Sequence, residues 1–233
     1  MSCSGATIAD LSAPQTTDNG VNPAQLSALS ASTRLVTLGI GGNDIGFGSL
    51  VKNCVEQGAL YIATGSGKYT GNDAPCRRTH VLGGTDEVGR NIQAAGVRLA
   101  DTLREVGHRA PKARVYVVGY PSVLPDKGEG CADDMTLAPD DATFLNDKEQ
   151  QLNSMLRQRA EAAGAGYVDT YAPSEGRDAC SASGTRWVEP LLPATRAAPV
   201  HPNERGERGM ADAVLHTLKS SWTPPTGTGR GTR

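Results

Sequence analysis

Arg34-Leu35-Val36-Thr37-Leu38-Gly39-Ile40-Gly41-Gly42-Asn43-Asp44-Ile45-Gly46-Phe47-Gly48 is the stretch from which the rest of this chain is best read. Residues 35–40 form a short apolar run with β-branched members, the pattern of a strand buried in a parallel sheet. The run ends in glycines and then in Asn43-Asp44. Gly41 and Gly42 lack a Cβ, so the backbone can turn sharply there and another group can come close. Asn43 offers an amide donor and acceptor, and Asp44 an acceptor for nearby turn amides. In open α/β sheets ligands bind just beyond the carboxyl ends of the strands, which is where Asn43 falls. An Asx turn leading into a helix accounts for the same residues without any site. A nucleotide-binding reading is disfavoured. The glycine fingerprint for dinucleotides would need glycine where Asp44 stands, and Gly65-Ser66-Gly67-Lys68 has Ile62 in place of the first P-loop glycine.

Outward from that stretch, hydrophobic periodicity gives the other elements. Residues 8–33, rich in Ala, Ser and Leu, read as a helix and connections, with Pro23 suited to a helix's first turn. A short helix is expected near 47–54, then a long irregular insertion over 56–84. Val88, Ile92, Ala95, Leu99, Leu103 and Val106 recur every three or four residues, so 86–106 is an amphipathic helix, with Thr85 or Asp86 to cap it. Val115 to Val118 reads as a second buried strand and 124–141 as loop. Phe144, Leu145, Leu152, Met155 and Leu156 mark a further helix, and Tyr167-Val168-Asp169 starts a third strand. A loop over 172–200 precedes a last helix from about 204 to 218, capped by Asn203. Residues 221–233, a Pro/Gly/Thr tail, read as disordered. This strand–helix alternation predicts an α/β fold, a parallel sheet covered by helices on both faces, in one domain over 1–220. Three visible strands are few for it.

Composition narrows the function. The net charge of −2 leaves no electrostatic footprint for nucleic acid, and no apolar run is long enough to span a bilayer. Met1-Ser2-Cys3-Ser4 has neither the basic flank nor the apolar core of a signal peptide. Five cysteines, at 3, 54, 76, 131 and 180, include no Cys-x-x-Cys and no histidine cluster, which argues against a metal site. Disulfides of an exported protein fit them better than free buried thiols, with Cys3 left over. Cys54 and Cys76 flank the polar excursion over 58–72, which a bridge would close off, and Cys131 and Cys180 also lie in loop-like sequence.

His201-Pro202-Asn203 lies directly before the last helix. A lone histidine there is more often a surface or capping residue than a catalyst. His80, His108 and His216 have weaker claims. Ser4-Gly5-Ala6-Thr7, Gly41-Gly42-Asn43-Asp44 and His201-Pro202-Asn203, in that order, resemble the later blocks of the SGNH hydrolases, the GDSL-type esterases and lipases. The likeness runs from Ser4 to about Leu218. It is nearest to the secreted, disulfide-bonded actinobacterial lipases and includes Gly119-Tyr120-Pro121 and Asp178-Ala179-Cys180.

The resemblance implies a flavodoxin-like three-layer fold and a serine-nucleophile ester hydrolase. It needs no cofactor, acts on a small-molecule or lipid ester, and is secreted and monomeric when complete. Gly5 through its amide and Asn43 through its side chain would bind the oxyanion, and His201 would be the general base. Two departures follow. Many members carry aspartate three positions before the histidine, where this chain has Ala198, so the Ala198 carbonyl is the expected tether for the imidazole. Moreover, no Gly-Asp-Ser occurs anywhere, nor Gly-x-Ser-x-Gly. The expectation is a chain that lacks the first strand and its nucleophile. It would be inactive and poorly soluble alone, because the edge of residues 35–40 is left bare. The alternative is a non-catalytic α/β binding domain or a degenerate remnant of such a hydrolase.

Overall fold

A computed structural model of the chain describes residues 3–65, 69, 73–81, 85–128, 130–131, 135–194 and 196–220. The core is a parallel three-stranded sheet in the order β3-β4-β5, formed by Leu35–Leu38 (β3), Arg114–Val118 (β4) and Gly166–Val168 (β5). Leu35 pairs with Arg114 and Leu38 with Val117, and Tyr116 pairs with Gly166. Parallel neighbours require long crossovers, and helices supply them. Phe47–Thr64 (α2), Pro75–His80 (α3) and Glu87–Arg109 (α4) join β3 to β4, Pro139–Ala162 (α5) joins β4 to β5, and Glu204–Ser220 (α6) follows β5. Among the described residues β3 pairs on one side only, and its Leu35 is 43% exposed.

The helix read from periodicity is α4. Its six spaced apolar residues are all buried, Ala95, Leu99 and Val106 completely. Burying each of the larger ones contributes roughly 1.5–3 kcal/mol. Asp86 caps it, accepting the Gly89 amide at 2.9 Å, and takes a hydrogen bond from Lys148 of α5 at 2.6 Å. The two helices are thereby pinned at one end, and Gly96 of α4 packs under Met155 of α5.

The N-terminal third departs from the sequence reading. Residues 8–33 hold one helical turn at Ala9–Ser12 (α1), a hairpin of Gln15–Thr17 (β1) and Gly20–Asn22 (β2), and a 3-10 turn at Gln25–Ala28. The hairpin turns at Asp18-Asn19, and Gly20 takes a φ of +121° that other residues rarely adopt. Pro23 therefore precedes a 3-10 turn and opens no α-helix. The helix expected near 47–54 runs on to Thr64, and α3 occupies another part of the supposed insertion. Val51, Cys54 and Gly58 continue one buried face, and Gly58 is glycine because a Cβ there would meet the Thr136 carbonyl at 1.9 Å. α5 likewise begins inside the expected 124–141 loop, at Pro139.

Cys54 bonds to Cys76, tying α2 to α3 with Cα atoms 4.9 Å apart, and Cys131 bonds to Cys180. Cys3 is free and half-buried. No helix among the described residues is long and apolar enough to cross a membrane. The tail over 221–233 lies outside the described residues.

Candidate active site

Past β3 the chain turns within six residues. Gly41 sits at a φ of +117°, and Phe47 N–H donates back to the Gly42 carbonyl at 3.0 Å. Gly42 N–H donates to the hydroxyl of Tyr120 at 2.8 Å, so close that a Cβ on Gly42 would sit 3.0 Å from that oxygen. Burial pushes the Tyr120 phenol up to about 12, against the pull of the Gly42 amide, so it is neutral at any working pH.

This turn grips the N-terminal segment. Asn43 Nδ2 donates to the Ala6 carbonyl at 2.9 Å, and Asp44 Oδ2 accepts the Ile8 amide at 3.0 Å. The other Asp44 oxygen accepts from Arg98 of α4 at 3.1 Å, and the Asp44 side chain is only 2% exposed. Asp44 is thus a structural clamp between three segments. The Ser4-Gly5-Ala6-Thr7 and Asn43-Asp44 blocks, apart in sequence, touch in space. Gly5 itself is exposed, with a φ of +73°.

His201 stands on a loop fixed from below. Glu189 N–H donates to the His201 carbonyl at 3.0 Å, and Val200 N–H to the Glu189 carbonyl at 3.1 Å. Those bonds hold Val200 at a φ of +60°, which a β-branched residue seldom adopts. Asn203 caps α6 by accepting the Arg205 and Gly206 amides at 3.0 and 3.2 Å. Its Nδ2 donates to the buried Glu189 carboxylate at 2.9 Å and to the Arg186 carbonyl at 3.0 Å. Arg186 pairs with the same carboxylate at 3.2 Å.

The imidazole is tethered by a different carbonyl from the one expected. Nδ1 lies 2.8 Å from the Pro199 oxygen, whereas the Ala198 oxygen accepts the His201 main-chain N–H at 3.2 Å. A carbonyl only accepts, so Nδ1 carries a proton toward it, and Nε2 is the nitrogen that holds the lone pair whenever the ring is uncharged. Residue 198 is bonded to the backbone, which leaves its neighbour to face the ring.

Asn43 and His201 line one cavity of about 490 Å³. Its walls are apolar: Phe47, Val123, Val188, Leu191, Val200 and Met210, with Tyr120 and Lys52 alongside. Gly5 and Ala198 are not among its lining residues. Sequence reasoning attached no role to Arg98, Glu189 or the wall residues, and the only trace of Tyr120 was its place in Gly119-Tyr120-Pro121. Among the described residues no group of three or more His, Cys, Asp or Glu side chains forms a metal site.

An apolar cavity carrying an imidazole and a carboxamide is suited to acyl chemistry. Comparison with known proteins agrees. Lipase 2 of Streptomyces coelicolor is 40% identical over 220 residues, which cover 94% of this chain and 70% of that protein. The crystal structure of phospholipase A1 from Streptomyces albidoflavus NA297 superposes with a TM-score of 0.68 at 28% identity, over 94% of this chain and 78% of that one. That of an extracellular lipase from Streptomyces rimosus shares the fold, with a TM-score of 0.61 at 24% identity over the same shares. Residues 1–208 match the GDSL-like lipase/acylhydrolase family, and the chain belongs to that family of carboxylic ester hydrolases.

Proposed function

We propose that this chain carries the general base and the oxyanion donors of a secreted serine esterase acting on esters with an apolar acyl group. The observation that carries the reading is the one cavity shared by His201 and Asn43, polar residues far apart in the chain set in a mostly apolar wall. His201 Nε2 takes the proton of a serine hydroxyl as that oxygen attacks the ester carbonyl, then returns it to the leaving alkoxide. Asn43 spends one N–H on Ala6 and has a second for the oxyanion. The Gly5 amide, one residue before Ala6, is the second donor in this reading. Pro199, in place of Ala198, orients the imidazole. Water then releases the acyl group by the same steps in reverse order.

No serine among the described residues is assigned as the nucleophile. The sequence contains no Gly-Asp-Ser, and no serine hydroxyl among the described residues hydrogen-bonds to His201. The 233 residues alone therefore turn over no ester in this reading. That same observation favours the second reading, a domain that binds esters without cleaving them. Two disulfides support export to an oxidising compartment.

The test is hydrolysis of p-nitrophenyl butyrate by the purified chain and by the chain joined to an upstream segment bearing Gly-Asp-Ser. We expect no turnover from the first and His201-dependent turnover from the second. Hydrolysis by the 233-residue chain that survives His201→Ala overturns the site. A joined chain that binds but never cleaves leaves the binding reading in place.

A further inference from the structure

One stripe of α5 is polar and faces inward. Asn146, Glu149 and Asn153, three and four residues apart, all hydrogen-bond to the backbone of residues 120–124. Tyr120 N–H donates to Asn153 Oδ1 at 2.8 Å, and Asn153 Nδ2 donates back to the Tyr120 carbonyl at 2.9 Å. Val123 N–H donates to Glu149 Oε2 at 3.0 Å, and Asn146 Nδ2 donates to the Leu124 carbonyl at 2.7 Å. Between them, the Ser122 amide donates to Ser174 Oγ at 2.7 Å. This segment follows β4 and supplies Tyr120, Pro121 and Val123 to the cavity. Side chains of α5, more than any strand, set its path.

Glu149 differs from its two amide neighbours. It is 1% exposed, and its Oε1 is buried without a hydrogen-bond partner. No cation pairs with it among the described residues. The ionisable groups that bear on it are the Asp178 carboxylate and the phenols of Tyr120, Tyr167 and Tyr171. A lone carboxylate in such surroundings is strongly disfavoured, whereas a neutral acid keeps one oxygen for the Val123 amide.

We propose that Glu149 is a positioning residue, an uncharged acid that holds the Val123 amide and so fixes one wall of the ester-binding cavity, and that its ionisation loosens that wall. The role of the cavity rests on the function proposed above; the protonation state does not. Burial pushes the Glu149 carboxyl well above its ordinary value, the Val123 amide opposes this, and Asp178 adds to it. The native state therefore keeps a proton that the unfolded chain gives up near 4.5. The stability this residue contributes is complete below that pH and is lost as pH rises toward the raised native value. Glutamine has no proton to lose, so Glu149→Gln should keep the wall and gain stability over the parent as pH rises.

The full chain, Glu149→Gln and Glu149→Leu are compared at pH 6 and pH 9. Hydrogen-exchange protection is read over residues 120–124, and cis-parinaric acid, a fluorescent fatty acid, reports on the cavity. Glu149→Gln should be at least as protected as the parent at pH 6, already above the unfolded value, and its lead should widen by pH 9, where the parent has loosened further. Glu149→Leu should lose protection about tenfold at pH 6, the worth of one buried hydrogen bond, and bind parinarate correspondingly less. If Glu149→Leu fails to fold, the parent and Glu149→Gln still decide the matter between them. Equal protection of those two at both pH values overturns the proposal, as does a Glu149→Gln chain loosened already at pH 6. Parinarate binding to none of the proteins would instead count against the cavity as an acyl site, with the exchange data still deciding Glu149.

Discussion

The side chain of Asn43 hangs from the carbonyl of Ala6, with Nδ2 and the oxygen 2.9 Å apart. One of its two N–H bonds is thereby spent on holding the amide in place, and only the other is free to act on a substrate. Asn43→Asp turns that donor into an acceptor facing the Ala6 carbonyl. In the chain joined to an upstream Gly-Asp-Ser segment, kcat should fall by about 10²–10³, some 3–4 kcal/mol, with KM little changed. Steady-state kinetics on p-nitrophenyl butyrate checks this, and a loss confined to KM would place Asn43 outside the oxyanion site.

Asp44 makes two bonds of unequal worth. Its bond to Arg98 ends on a guanidinium that is 45% exposed, so solvent screens it and Arg98→Ala should cost under about 1 kcal/mol. Its bond to the Ile8 amide is enclosed, and Ile8 is 2% exposed. Asp44→Ala strands that N–H and should cost about 1–3 kcal/mol. Urea denaturation of the two variants should rank them in that order.

Part of this was legible before any coordinates. α4 announced itself because a buried helix face repeats every three to four residues and little else does. Asn43 and His201 stood out as polar groups beside glycine and proline at the ends of elements. What stayed hidden depends on contacts between distant segments. Gly58 looks like a helix breaker until the Thr136 carbonyl is seen against it. Three-residue strands such as β1 and β2 are too short to show alternation, and only Asn19-Gly20 marks their turn. Ala198 and Pro199 offer identical carbonyls in sequence, and the fold alone decides which one faces the ring. Glu149 falls on the apolar face with Leu145, Leu152 and Leu156, and what a carboxyl does there is seen only when the backbone of 120–124 is laid across it.

Asn203 should be the costliest single loss near His201. Asn203→Ala removes the α6 cap, worth about 1 kcal/mol. It also takes a donor from the buried Glu189, which keeps Arg186. Asn203→Asp retains the cap but sets a carboxylate against Glu189, so it should fare no better. Thermal unfolding of both measures the loss, and an Asp variant as stable as the parent would show that Glu189 does not depend on Asn203.

The lock between α4 and α5 should fail in acid. Burial alone would push the Asp86 carboxyl up, but the bonds from Lys148 and the Gly89 amide outweigh it and hold the carboxyl below its ordinary value. A lowered native value means that the stability it contributes is present above the unfolded value near 3.8 and is lost as pH falls through the native one. Asp86→Asn should therefore resemble the parent in strong acid and be the less stable of the two at pH 7. A stability gap that stayed constant between those pH values would mean that Lys148 and Asp86 do not act as an ion pair in solution.

The cysteines give a test that needs no activity. Two bridges and a free Cys3 predict one titratable thiol in the denatured, unreduced chain, and five after reduction. The bridges should also differ in worth. Cys131–Cys180 closes a longer loop than Cys54–Cys76, with separations of 49 and 22 residues. Chain entropy alone then assigns them about 4 and about 3.4 kcal/mol. Cys131→Ala/Cys180→Ala should therefore lower the unfolding free energy slightly more than Cys54→Ala/Cys76→Ala. The reverse order would mean that Cys54–Cys76 acts mainly on the native state, by holding α3 against α2, where the Asp141 carboxylate of α5 already takes the Cys76 and Arg77 amides.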